Sequence, residues 1–127
     1  MSLHSSLTRI PMLTLLACLA FAAFAAGESE ARDCGGESVR QPNGSGYFTS
    51  MQVTNISCSY GKSFRRSHWR CRTNSGSRPA GRCARRVRGF RCTEDRSGSI
   101  ETQIVSRVRC RRGSQKIVFT YDQPLGD

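Results

Sequence analysis

Hydrophobic and polar residues alternate along much of the C-terminal half of the chain, as they do in strands of a half-buried sheet. Three strand-like runs, Arg86–Glu94, Ser99–Cys110 and Lys116–Tyr121, are separated by the turn-forming stretches DRSGS and RGSQ. Earlier in the chain, Tyr47–Ser57 mixes aromatic, β-branched and polar residues in near alternation, with a slip before Ile56. These runs predict a small, mainly antiparallel sheet.

The last two runs predict a C-terminal β-hairpin with a defined register. If its loop is Arg112–Gln115, Arg111 faces Lys116 and Val108 faces Phe119. One side of the hairpin then carries Val108, Cys110, Ile117, Phe119 and Tyr121, and the other carries Arg107, Arg109, Arg111 and Lys116. Other loop lengths mix the two sides, and a slip by one residue would push the arginines into the core.

The same alternation extends to the run that precedes the hairpin. It places Phe90 and Cys92 on the apolar side and Arg91 on the opposite side. Cys92 and Cys110 would then lie on the core side of neighbouring strands, where a disulfide is geometrically plausible.

One segment, Ser57–Arg72, has helical periodicity instead. Cys58, Gly61, Phe64 and His68 recur at spacings of three and four, and Trp69 lies beside them. Ser57 can act as the N-cap by accepting a hydrogen bond from an unpaired amide. Glycine lowers helix propensity, so we expect the small size of Gly61 to permit close packing against the sheet. The basic residues of the helix are expected to face mostly outward: Lys62, Arg65, Arg66 and Arg70.

Two further segments have the composition of loops. Arg32–Gly46 is rich in glycine and polar residues, and we expect it to be tied down by Cys34. Thr73–Gly81 is flanked by Cys71 and Cys83, and a disulfide between those two would close it off as a clasp.

The first 25 residues have the features of a secretion signal. Arg9 supplies a positive charge, Met12–Phe24 an apolar stretch, and Ala23-Phe24-Ala25 a small-x-small cleavage site. The apolar stretch is shorter than the roughly 20 residues that cross a bilayer, so we expect no transmembrane span after processing. An alternative is lipoprotein processing at Cys18, because LLAC resembles a lipobox, although the apolar stretch before Cys18 is very short.

The predicted organisation is therefore one small secreted domain. We assign residues 1–25 to the signal peptide, 26–46 to a mostly irregular segment tethered by Cys34, 47–123 to a single α+β domain and 124–127 to a flexible C-terminus. In the α+β domain one helix packs on a small, mainly antiparallel sheet that ends in the C-terminal hairpin. About a hundred residues bury only a modest core, so we expect covalent support.

The cysteines are the expected source of that support. Cys18 leaves with the signal, and an even number remains: Cys34, Cys58, Cys71, Cys83, Cys92 and Cys110. In an exported chain such a set indicates three disulfides. We predict no metal site and no cofactor, because no Cys-x2-4-Cys pair is present and the processed chain has one histidine, His68.

The charge is strongly positive and unevenly distributed. The chain has 20 Lys and Arg against 9 Asp and Glu, a formal net charge of +11. From Lys62 to Lys116 there are 17 basic and three acidic residues, the latter being Glu94, Asp95 and Glu101. Two interpretations fit: a polyanion-binding surface, and arginine that merely decorates solvated faces.

No catalytic signature stands out, and the sequence favours a non-enzymatic role. A small basic nuclease would have to use His68 with Glu94 or Glu101 as its acid/base pair. The helical spacing of His68 with Phe64 favours packing instead. We therefore predict no catalytic residues.

The order of short motifs resembles small, basic, exported proteins of actinobacteria. The motifs are an N-terminal cysteine, VTNISC leading into a basic helix, RGFRC, and RVRCRRGSQKIVF, which together cover Cys34 to Tyr121. Gly61 stands where that family more often has alanine, and the Cys71 and Cys83 pair looks like an addition found in some members. The resemblance implies a compact α+β domain outside the cytoplasm, and little about function.

On the basis of that resemblance, Cys34 is paired with Cys58, Cys71 with Cys83, and Cys92 with Cys110. The alternative pair Cys58 with Cys92 would join the helix to the sheet, and six cysteines allow about 15 connectivities.

The leading functional hypothesis is a monomeric module that binds anionic extracellular polymers or cell-envelope surfaces. The partners considered are phosphorylated cell-wall polymers, anionic lipid headgroups and extracellular nucleic acid. The residues predicted to carry the binding are Arg65, Arg66, Arg91, Arg107, Arg109, Arg111 and Lys116. Two alternatives stay open: a cationic antimicrobial or toxin-like effector, and a protein-partner or inhibitor module whose charge is incidental.

Overall fold

A computed structural model describes residues 29–41, 44–74 and 81–125 of the chain. The predicted signal peptide, with its alternative processing site at Cys18, lies outside the described residues. So do most of the predicted loop 73–81 and the last two residues of the predicted flexible C-terminus.

The chain folds as one helix on an antiparallel sheet, so the predicted α+β architecture is confirmed. The elements are β1 (Arg32–Asp33), β2 (Glu37–Gln41), β3 (Gly44–Thr54), α1 (Cys58–Thr73), β4 (Arg91–Asp95), β5 (Gln103–Arg112) and β6 (Gln115–Pro124). The strand order is β1-β3-β6-β5-β4, and β2 also pairs with β3. Every pairing is antiparallel.

The register predicted for the C-terminal hairpin is confirmed. Arg111 pairs with Lys116 and Val108 with Phe119. Arg112 and Gln115 are also paired, so the loop is shorter than predicted and consists of Gly113 and Ser114. Gly113 has a φ of 56°, as required at the first position of a tight type II′ turn, where glycine is favoured.

The core lies between α1 and the inner side of the sheet. Its sheet residues are fully or almost fully buried: Phe48, Met51, Val53, Ile104, Val108, Cys110, Ile117, Phe119 and Tyr121. A bulge at Thr49 lets both Phe48 and Met51 point inward although they are an odd number of residues apart. The break in alternation therefore lies earlier in β3 than the slip predicted before Ile56.

The helix begins and packs as its sequence predicts. The Ser57 hydroxyl accepts a hydrogen bond from the Tyr60 amide at 3.2 Å. A Cβ atom at Gly61 would lie 2.7 Å from Cγ1 of Val53, which is closer than real Cβ contacts. Close packing at Gly61 is therefore confirmed.

Three disulfides connect the elements: Cys34–Cys58, Cys71–Cys83 and Cys92–Cys110. They are the pairs that the resemblance implied, and they exclude the alternative pair of Cys58 with Cys92. Each contributes on the order of 2–4 kcal/mol of stability. A small domain with three disulfides belongs in an oxidising environment, which indicates an extracellular protein. Among the residues that the structure describes, no helix has both the length and the apolar character to cross a membrane.

The N-terminal segment corrects one prediction. Residues 26–46 were expected to be mostly irregular, yet they contain β1, β2 and the start of β3. Two of the glycines in this segment, Gly36 and Gly46, serve close packing instead. A Cβ at Gly46 would lie 2.6 Å from the Trp69 ring, and one at Gly36 would lie 2.5 Å from the Phe48 carbonyl oxygen. At the other end, β6 extends through Pro124, one residue beyond the predicted domain boundary.

Candidate functional site

The outer side of the sheet, away from α1, carries a group of exposed basic side chains. Their inward neighbours along β5, Val108 and Cys110, are buried in the core, so strict alternation turns the arginines to solvent. We call this group the basic face; it consists of Arg91, Arg107, Arg109, Arg111 and Lys116, all of them exposed.

Three of these cations form a row across three strands. Arg91 on β4 pairs with Arg111 on β5, and Arg111 pairs with Lys116 on β6. Like charges directly opposite each other on neighbouring strands destabilise a sheet. Within 29–41, 44–74 and 81–125, none of the five residues of the basic face has an ion-pair partner.

From Arg111 towards Arg107, the residues on β4 and β6 that lie beside the arginines of β5 change from basic to uncharged, and an acidic residue appears at the end. Arg109 lies between Thr93 and Val118, and Arg107 lies between Asp95 and Thr120. A hydrogen bond from the Ser97 amide to Asp95 Oδ1, at 2.9 Å, is the main reason that the pKa of Asp95 is lowered. Asp95 is therefore a carboxylate at neutral pH. The positive potential of the face falls along β5 from Arg111 to Arg107.

Arg65 and Arg66 do not belong to the basic face. Arg65 is fully buried, so its predicted outward orientation is wrong. Its guanidinium lies 4.1 Å from the centre of the Phe48 ring and 2.5 Å from Oε2 of Glu37. Arg66 is half exposed and lies 3.4 Å from the other oxygen of Glu37. The two arginines therefore fasten β2 to α1.

The pKa of Glu37, the carboxylate that Arg65 and Arg66 share, depends on both arginines. Desolvation alone would raise the pKa of Glu37, but the two guanidiniums outweigh it and hold that pKa below its usual value. Glu37 therefore stays ionised, and its charge is balanced by Arg65 and Arg66 of the same fold.

A second charged group lies on the inner side of the sheet and was not predicted. We call it the inner polar cluster; it comprises His68, Arg72, Glu94, Arg96, Ser106, Tyr121 and Gln123. Arg72 is fully buried against Trp69 and Tyr121, with its guanidinium carbon 4.2 and 4.7 Å from the two ring centres. It also donates a hydrogen bond to Oε1 of Gln123.

Glu94 is the centre of this cluster. Its Oε1 accepts hydrogen bonds from Arg96 Nε at 2.7 Å, from the Ser106 hydroxyl at 3.1 Å and from the Tyr121 hydroxyl. Arg96 in turn donates to the Gly81 carbonyl at 2.7 Å. Desolvation acts to raise the pKa of Glu94, but these donors outweigh it and lower that pKa.

The cluster brings together two residues of the nuclease hypothesis, His68 and Glu94, but it buries them. His68 is 2% exposed, and burial lowers its pKa to about 4. Its ring packs edge-on against Phe119, with ring centres 5.4 Å apart. Glu101 is exposed in the connection between β4 and β5. At neutral pH the cluster thus holds a neutral imidazole beside a carboxylate occupied by three donors, and it serves packing between α1 and the sheet.

The arginines at positions 65 and 72 could have been assigned to the core from the sequence. Both continue the helical spacing that starts at Gly61 and passes through His68. Their positive charge argued against burial, but the sequence also offers aromatic partners for each.

The described part of the chain contains no group of three or more His, Cys, Asp or Glu side chains that could hold a metal ion. All six cysteines of that part are in disulfides.

No model of a known protein family matches the chain, and neither does any curated protein or solved structure. The resemblance to exported actinobacterial proteins stays a prediction. A function must therefore be argued from the geometry of the described residues.

Proposed function

We propose that this protein binds anionic polymers outside the cell and that the basic face is its binding surface. The supporting observation is the row of Arg91, Arg111 and Lys116, in which like charges stand opposite each other on three neighbouring strands. This arrangement costs stability, and the described residues supply no counter-charge. A bound polyanion would supply it.

The side chains and their support suit this role. Arginine binds phosphate or carboxylate through two parallel hydrogen bonds, which a lysine ammonium cannot do. The Cys92–Cys110 disulfide lies directly beneath the row, because Cys92 follows Arg91 and Cys110 precedes Arg111. A cross-link at this place fixes the spacing of β4 and β5, so less ordering is needed when a ligand binds.

A docking role is also favoured over membrane permeabilisation. In the part of the chain that the structure describes, the exposed large hydrophobic side chains are Tyr47 and Ile100. A surface that inserts into a bilayer needs an apolar face beside its charges. The candidate ligands are therefore polymers and headgroups that are met at the surface: phosphorylated wall polymers, anionic lipid headgroups and extracellular nucleic acid.

The test is a salt titration with a charge-reversed variant of the basic face. The triple variant Arg107→Glu, Arg109→Glu, Arg111→Glu should fold, since all three side chains point to solvent. It should lose binding to phosphate polymers that the unmodified domain binds at about 50 mM salt, because neutralising phosphates releases counterions and gives a steep salt dependence.

A matched control reverses three arginines elsewhere. The variant Arg70→Glu, Arg85→Glu, Arg86→Glu changes the net charge equally and alters exposed residues of α1 and of the segment before β4. It should retain most of the binding. Equal losses in the two variants would show that net charge, not the basic face, drives the association. Absence of binding by the unmodified domain even at about 50 mM salt would remove the proposed function.

A further inference from the structure

We infer that the ligand of the basic face is a single, flexible phosphodiester chain that lies lengthwise along β5. This inference rests on the function proposed above. Arg107, Arg109 and Arg111 occupy every second position of one strand, all exposed on the outer side. Since a strand rises about 3.4 Å per residue, these cations repeat at about 6.8 Å.

We call the line of Arg107, Arg109 and Arg111 along β5 the lane. Over most of its length no other cation of β4 or β6 lies beside it. Beside Arg109 stand Thr93 and Val118, and beside Arg107 stands Thr120 on the β6 side. These neighbours are short and uncharged. A membrane surface would be matched best by cations spread evenly over the face, and a duplex by cations that follow two separated backbones. Here the cations form one line that widens only at Arg111.

The ends of the lane differ, which gives it a direction and a length. At one end Arg111 is joined by Arg91 and Lys116, so the positive charge is greatest there. At the other end Asp95 is paired with Arg107, and Asp122 is paired with Val105. The two carboxylates repel a polyanion that continues past Arg107. The lane therefore holds a short stretch of polymer, about one phosphate for each arginine and one or two more at the wide end.

The repeat of the lane fits the chemistry of phosphodiesters. Consecutive phosphates are linked through three carbons, both in a nucleic-acid backbone, where the sugar ring restricts one of the bonds, and in poly(glycerol phosphate), where all of them rotate. Such a chain can set its phosphates at the repeat of the arginines without strain. Each phosphodiester also offers two non-bridging oxygens to the planar fork of a guanidinium.

The experiment measures binding of the processed, disulfide-bonded protein by fluorescence anisotropy. The probes are abasic phosphodiester oligomers, oligo(glycerol phosphate) and oligothymidylate in a series of lengths, together with a DNA duplex and phosphatidylglycerol vesicles. Affinity should rise steeply until about four phosphates are present and only slowly thereafter, with a salt slope of about −0.7 for each phosphate bound. Duplex and vesicles should bind more weakly per phosphate.

The sources of the phosphodiester are distinguished within the same series. Equal affinity for abasic oligomers and oligo(glycerol phosphate) shows that the backbone alone is read. A clear preference for oligothymidylate shows that bases add contacts, and a single-stranded nucleic acid is then the source. Either result supports a single chain as ligand. Tighter binding per phosphate to the duplex or to vesicles overturns the inference.

A charge-conserving swap tests the lane directly. Arg109 and Val118 are paired on neighbouring strands, so the double variant Arg109→Val, Val118→Arg moves the central cation sideways and keeps the net charge. It should bind short oligomers about tenfold more weakly than the unmodified protein, whereas Arg70→Gln, an exposed change on the helix, should have little effect. If the swap binds like the unmodified protein while the charge-reversed triple variant does not, the proposed function stands and the lane is wrong. If no probe binds at about 50 mM salt, the proposed function itself fails.

Discussion

The two sides of the sheet hold charged side chains in opposite ways. On the inner side, Glu94 accepts three hydrogen bonds, and Arg72 lies against two aromatic rings and donates a hydrogen bond to Gln123. On the outer side, cations of the same kind stand next to one another without ion-pair partners among the described residues. Arginine therefore stabilises the fold on the inner side, whereas on the outer side Arg91 and Arg111 stand beside like charges that destabilise the sheet.

Arg72 and Arg109 illustrate the difference. Aromatic rings and an amide oxygen replace the water that Arg72 loses on burial, and its removal would take a hydrogen-bond donor away from the buried Gln123 oxygen. Arg109 keeps its water, and its removal would change little in the folded protein. A high content of arginine thus has no single meaning in this chain, because a buried arginine such as Arg72 is not available to a ligand.

The largest expected effect comes from truncating the buried arginine. Arg72→Ala should lower the free energy of unfolding by about 3–5 kcal/mol, because it opens a cavity beside Trp69 and Tyr121 and removes the donor to the buried Gln123 oxygen. Denaturant unfolding with the disulfides intact measures this.

Arg109→Ala is the matched control, and it should stay within about 0.5 kcal/mol of the unmodified protein. Equal effects of the two substitutions would contradict the distinction between the inner and outer arginines.

A smaller effect is expected from the titration of His68. The pKa of His68 is about 4 in the folded protein and 6.5 when unperturbed, mainly because it is buried. The unfolded chain therefore binds the proton first, so stability is fully present above pH 6.5 and falls as the pH drops towards 4. The loss should reach about 3 kcal/mol.

His68→Gln should remove the decline between pH 6.5 and pH 4, as followed by thermal unfolding across that range. The lowered pKa of Glu94 gives a separate decline below about 4.5, which the variant should keep. Arg109→Gln on the outer side should leave both parts of the profile unchanged. An unaltered profile in His68→Gln would show that this histidine is not the group responsible.

Strand alternation made the outer side predictable, whereas the inner charges depend on contacts between distant segments. Once the hairpin register was set by Val108 and Phe119, the orientation of Arg109 and Arg111 followed, and the structure agrees. The burial of Arg72 requires Tyr121 and Gln123 on β6, far away in the chain. The helical spacing from Gly61 through His68 places Arg72 on the inner face of α1, but its positive charge predicts exposure unless the partners on β6 are known.

The N-terminal strands could not be predicted for a similar reason. The glycines just before β2 and at the start of β3 are typical of a loop, and only the close approach of Trp69 explains why Gly46 is needed within a strand. The bulge at Thr49 likewise depends on packing, because it allows Phe48 and Met51 both to point into the core. Local propensity is overridden at these places by packing against the helix.

The smallest expected effect tests whether the row of cations costs stability. Arg111 stands between Arg91 and Lys116, whereas Arg107 stands beside Asp95. Arg111→Gln removes the repulsion of Arg111 from both of these cations and should raise the free energy of unfolding by about 0.5 kcal/mol at low salt. Arg107→Gln removes the attraction between Arg107 and Asp95 and should lower the free energy of unfolding by a similar or smaller amount. Both differences should shrink towards zero in about 1 M salt, where the screening length is about 3 Å.

If both substitutions change stability with the same sign at low salt, repulsion between neighbouring charges does not set the energy of the row formed by Arg91, Arg111 and Lys116. If Arg111→Gln is more stable and binds phosphate polymers less tightly, the row is a feature that is kept for binding at the expense of the fold.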